Sequence, residues 1–113
     1  MYFKNLKDIR EREIIKGYKA KFINTKNMTL AYWDIEAGAI VPEHFHINEQ
    51  IINVIEGRLK LKIGNETRIL EKGEIAIIPS NVKHSTKAIT KVMTIECFCP
   101  IREDYIFNDE QSG

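Results

Sequence analysis

From residue 13 onward the chain is a succession of short β-type runs separated by turn signals, and this pattern constrains the fold most. Leu59, Leu61 and Ile63 alternate with Arg58, Lys60 and Lys62, the period-2 signature of a strand with one wet face. Gly64-Asn65 follows as a two-residue hairpin signal, and residues 67–70 return. Residues 28–35 (MTLAYWDI) are apolar on both parities, as expected of a strand buried between two layers. Residues 50–55, 74–78 and 92–98 are further strand candidates, with Gly38, Gly57 and Gly73 in the gaps. No helical period persists beyond a turn at residues 6–9. The pattern predicts an all-β sandwich or barrel. Its bounds are residues 13–107, preceded by an arm (1–12) and followed by a tail (108–113).

The 113 residues make one domain, and 43% hydrophobic with 29% charged residues excludes wholesale disorder. A formal net charge of +1 argues against a dedicated nucleic-acid or membrane-surface binder. That balance conceals a split, because residues 1–26 hold eight Lys or Arg against three acids. Solvated charge on an edge strand accounts for the basic arm. Cys97 and Cys99 lie two apart in a strand-like run, a poor geometry for a disulfide, and read as small buried apolar residues. The first eight residues meet charge at once and contain no apolar stretch. A reduced, cytoplasmic protein is the expectation.

All three histidines fall in one pattern. In an extended segment His44 and His46 share a face, and Gln50 has the same parity, whereas Glu43 and Glu49 have the opposite one. His84 follows Pro79 in a turn that would let a later strand return it to the first pair. Three imidazoles and an amide oxygen suit a divalent first-row metal, and manganese, iron, cobalt, nickel and zinc are all compatible.

At these residues the sequence resembles the cupin family, whose motifs are G-x5-H-x-H-x3/4-E-x6-G and G-x5-P-x-G-x2-H-x3-N. The first runs from Gly38 to Gly57 with Gln50 in place of the usual Glu. The second is met at Gly73, Pro79 and His84, with Asn81 replacing Gly and Ala88 replacing Asn. The resemblance implies a double-stranded β-helix, or jelly roll, with a metal inside the barrel and commonly a homodimer. The basic, strand-like N-terminal segment is a candidate for pairing with the second copy. The ending from Phe98 to Tyr105 (FCPIREDY) is similar to the F-S-P-x-R-E-D-[FY] ending of small single-domain cupins, including the pectin-degradation subgroup. There an Asp, a Phe and an Arg face the substrate; the matching residues here are Glu96, Phe98 and Arg102.

These likenesses imply a leading activity, the linearisation of an unsaturated uronate or a similar small sugar acid. Glu96 would move the proton, Arg102 would anchor a carboxylate and Phe98 would line the cavity. A metal-dependent dioxygenase and a non-enzymatic small-ligand or sensor module are the alternatives. Taken without the resemblance, Glu96 faces either cavity or solvent, and Arg102 belongs to a surface or dimer-interface charge cluster with Glu103 and Asp104. Phe22, Tyr32 and Trp33 then read as core.

Overall fold

The computed structural model describes residues 2–107; the tail at 108–113 lies outside them. Ten strands among the described residues form two antiparallel sheets. They are β1 (Arg12–Ile15), β2 (Tyr18–Asn24), β3 (Thr29–Ile35), β4 (Ile40–His44) and β5 (Glu49–Glu56). The second half supplies β6 (Leu59–Ile63), β7 (Glu66–Leu70), β8 (Ile75–Ile78), β9 (His84–Ala88) and β10 (Val92–Cys99). The larger sheet has the order β1-β2-β3-β10-β5-β8 and the smaller one β4-β9-β6-β7. The expected all-β jelly roll is therefore present. Among the described residues, the only helical pieces are single 3₁₀ turns at Leu6–Asp8 and Glu103–Tyr105.

Alternation decides what each strand buries. In β2 and β3, Tyr18, Ala20, Phe22, Ala31, Trp33 and Ile35 point between the sheets, where they meet Ile52, Val54, Leu59, Ile78 and Val92. Burying side chains of this size contributes about 1.5–3 kcal/mol each before entropy is counted. The expectation for β3 needs correction. Its even-numbered residues, Leu30, Tyr32 and Asp34, are half-buried on the outside of the larger sheet and are not sealed in a second layer. The cysteines are corrected for the same reason. They share the outward parity of Ile95, which leaves Cys97 half-buried and Cys99 exposed.

Unusual backbone at two of the turns has a direct consequence. Asn81 takes φ 65°, a left-handed conformation that Asn tolerates best among residues with a side chain, so its replacement of Gly is accommodated. Gly57 takes φ 88° where the chain leaves β5, and a Cβ there would run into the carbonyl oxygen of Lys91. Gly57→Ala should therefore cost at least ~2 kcal/mol, combining left-handed strain with a backbone clash. Urea unfolding followed by far-UV circular dichroism measures it.

Candidate metal centre

The site is assembled by the gap between the sheets, not by one extended segment. The parity argument assumed that residues 44–50 stay extended, and they do not. β4 ends at His44 in the smaller sheet, residues 45–48 turn across, and β5 begins at Glu49 in the larger one. His44 stands opposite His84 in the β4–β9 ladder. Gln50 stands opposite Phe98 in the β5–β10 ladder. His46 lies in the crossing, and its carbonyl accepts from the Asn81 N–H at 2.8 Å, which ties it to the turn before His84. The ligating atoms of His44, His46 and His84 all lie within 4.8 Å of one another.

Each imidazole is oriented by a backbone carbonyl. The Nδ1 atoms lie 2.9 Å from the Pro42 oxygen for His44, 3.0 Å from that of Asn48 for His46 and 2.8 Å from that of Val82 for His84. A carbonyl only accepts, so this network assigns the proton to Nδ1 and leaves a lone pair on each Nε2. Burial lowers the His46 pKa, and it lowers that of His84 to about 4, so both rings are neutral at pH 7. The Nε2 of His84 is buried with no hydrogen-bond partner among the described residues. The Nε2 of His46 lies 3.2 Å from Oε1 of Gln50, whose Nε2 donates to Glu96 at 2.7 Å. Two lone pairs thus face each other beside a third, orphaned one. A divalent cation satisfies all three, so this donor set fits the metal that its composition implies.

Glu96 lies behind Gln50. It is buried, with one oxygen accepting from the Gln50 amide and the other from the Thr94 hydroxyl, also at 2.7 Å. Burial raises its pKa to about 7, against the opposing pull of those two hydrogen bonds and of Arg102. Sequence left open which way this residue faces; it faces inward. A cavity of about 280 Å³ opens beside it, lined by His44, Gln50, His84, Glu96, Phe98 and Arg102, and walled by Tyr18, Trp33, Leu59 and Tyr105.

Arg102 does not sit in a surface cluster. Its side chain is only 15% exposed, and it makes a two-pronged contact with Asp104 at 2.9 and 2.7 Å. Its guanidinium lies 4.4 Å from the Tyr105 ring centre and 5.0 Å from that of Phe98. Glu103 is exposed and outside the cavity lining. The segment after β10 crosses the cavity mouth. Asn48 donates to the Pro100 carbonyl at 2.6 Å, the Arg102 N–H to Thr29 at 2.9 Å, and Asn24 to the Tyr105 carbonyl at 3.0 Å. Thr94 and Tyr105 were missed from the sequence, because nothing local marks a hydroxyl that caps a buried carboxylate or a ring that folds back over a cavity. A larger hollow, about 390 Å³, lies among Leu61, Glu66, Arg68 and Ile75. Its charged residues are exposed, and none is held as Glu96 is.

A model of the cupin domain matches residues 31–99. The chain belongs to the cupin family. Among solved structures, an RmlC-like cupin from Shewanella frigidimarina NCIMB 400 superposes with a TM-score of 0.89 at 22% identity, covering 94% of this chain and 96% of that one. KdgF from a Halomonas species superposes with a TM-score of 0.85 at 23% identity, covering 94% and 98%. The uncharacterised protein SCO3923 of Streptomyces coelicolor is 24% identical over 85 residues, 75% of this cupin and 81% of that protein. Among the described residues, no helix is long and apolar enough to cross a membrane.

Two outcomes follow from this geometry. Added zinc or manganese at about 100 times its Kd should stabilise the protein by about 2.7 kcal/mol, and His84→Ala should abolish that shift; thermal unfolding with and without chelator measures both. The second concerns pH in the metal-free protein. Because the folded pKa of Glu96 is raised from 4.5 to about 7, its contribution is present below about pH 4.5 and lost as pH rises through 7. His84, lowered from 6.5 to about 4, acts oppositely, its contribution being lost as pH falls from 6.5 through 4. Glu96→Gln removes only the first. The stability of the variant should therefore fall more steeply than that of the wild type between pH 7 and 4.5, as read by urea titrations across that range.

Proposed function

We propose that this cupin uses a divalent metal to act on a small carboxylated sugar-like molecule, in a proton-shifting, isomerase-like reaction of the unsaturated-uronate linearisation type. The observation that carries the reading is Glu96. A buried carboxyl whose pKa is raised to about 7, on the wall of the cavity that His44 and His84 line, is suited to hold or release a proton near neutral pH. Support also comes from the FCPIREDY ending, which is similar to that of pectin-degradation cupins.

Each residue has a task in this reading. His44, His46, Gln50 and His84 would hold the metal, which when bound supplies Lewis acidity toward a substrate oxygen. No donor carries a charge, so the ion would keep its full +2 and favour an oxyanion. Arg102 holds Asp104 through Nε and Nη2 and also interacts with the Tyr105 side chain, and in this reading its guanidinium would anchor the substrate carboxylate. The Phe98 and Tyr105 rings back that guanidinium. In the conversion a proton leaves the anomeric hydroxyl as the ring opens, and another is delivered to the former alkene carbon. No electrons are gained or lost, so no redox partner is required. In this reading Glu96 would carry the second proton.

The test is direct. Metal-loaded protein should bleach the conjugated absorbance of 4,5-unsaturated galacturonate, and Glu96→Gln should slow this by ~100-fold or more. A wild-type rate equal to that of buffer with free metal would overturn the reading.

A further inference from the structure

The polar groups of the cavity are not confined to its histidine end. Thr86 lies two residues beyond His84 on β9 and shares its inward face, which at the rise of a strand sets the two about 7 Å apart. The Thr86 hydroxyl is 2.6 Å from that of Tyr18, which reaches across from β2 in the other sheet, and both residues line the cavity. Two hydroxyls carry two protons, and the bond between them uses one. The second O–H has no acceptor among the described residues. Trp33, edge-on to Tyr18 with ring centres 5.9 Å apart, lines the same cavity, and its buried indole Nε1–H also lacks a partner. Buried donors without acceptors are costly to keep, so this end of the cavity is built to receive an oxygen.

We infer that Tyr18 and Thr86 form a hydroxyl clamp for one oxygen of the substrate, and that the clamp makes the site selective for single-ring, hydroxylated acids. The inference rests on the sugar-acid reading for the class of ligand and adds the residues that choose among such acids. A pyranose ring with its substituents spans the ~7 Å between His84 and Thr86, so an acid held at the histidine and Arg102 end presents its opposite hydroxyl to the pair. The walls between are apolar, with Trp33, Val41, Ile52 and Leu59, and suit the C–H faces of such a ring. The N-terminal segment contributes here, since β1 pairs with β2 of its own chain and brings Ile14 and Ile15 to the cavity wall. A hydroxyl pair is also adaptable, because either oxygen can act as the donor within it and leave the other to meet the ligand. Beyond the pair the next row is closed. Ala88 and Leu59 face each other in the smaller sheet, Ile35 and Val92 in the larger one, and each is at most 1% exposed. A volume of about 280 Å³, near the lower end of small-molecule sites, then holds one ring and not two.

Isothermal titration of the zinc-loaded full chain with D-galacturonate and with cyclohexanecarboxylate tests the clamp, the second being a six-membered ring acid without hydroxyls. Tyr18→Phe/Thr86→Val removes both oxygens and keeps both side-chain shapes. It should weaken galacturonate binding by ~10-fold and leave cyclohexanecarboxylate binding unchanged. An equal loss for both acids, or no loss for galacturonate, would overturn the clamp. Where the double variant fails to fold by circular dichroism, Tyr18→Phe alone is titrated; a loss confined to galacturonate supports the clamp, and its absence counts against it. The result is separable from that of the proposed reaction. Clamp-dependent affinity without bleaching of the unsaturated acid would overturn the reaction and leave the clamp standing. Bleaching by a wild type that does not bind galacturonate, or binds it no more tightly than the double variant does, would overturn the clamp and leave the reaction standing.

Discussion

The hydrogen bond between the Gln50 amide and the Glu96 carboxyl, 2.7 Å long, decides what the cavity can do. It fixes the amide, because the nitrogen must face the carboxylate and the oxygen must then face His46. A glutamine free to flip would offer a donor to the metal site half of the time and repel a cation. The same bond, with that from Thr94, satisfies a carboxyl that burial would otherwise make very costly. One contact therefore aims a metal ligand and keeps a near-neutral acid inside the barrel.

Replacing the usual glutamate by Gln50 has an electrostatic consequence that reaches the whole site. A carboxylate at position 50 would stand against Glu96, and two carboxylates at that separation cannot both ionise. Glutamine removes the conflict and leaves Glu96 as the only carboxyl within reach of the histidine cluster, among the cavity-lining groups other than Asp104. Asp104 is engaged by Arg102, which holds its pKa below the usual carboxylate range. The two acids are thus separated by function as well as by position: one is committed to an arginine, the other is poised to titrate.

Much of this was legible in the sequence, for identifiable reasons. Alternation in β6 and the Gly64-Asn65 turn are local signals, and both appear as written. The histidine spacing pointed to one site because the jelly roll crosses between sheets at that spot, although by a turn and not by the continuous strand that the parity argument assumed. The orientation of Glu96 needed the ladder register, which pairs it between Ala31 and Ile52 and so turns it inward with them. Arg102 resembled a surface residue because its burial comes from Tyr105 and Phe98, brought over it by a chain reversal that composition does not encode. β4 and β9 carry His44 and His84 yet gave no strand signal, since both are short, mixed in polarity and paired mainly through backbone.

The two faces of β5 and β10 connect the site to the outer surface. Gln50, Glu96 and Phe98 project inward, while Ile51, Ile95 and Cys97 project outward from the intervening positions of the same strands. A pleated strand cannot tilt one set of side chains without moving the other. A covering layer on the outward face would therefore hold the Gln50–Glu96 register in place, and it would do so without touching the cavity. The inward side chains line the cavity beside the histidine cluster, and the outward ones leave an apolar face on the opposite side of the sheet.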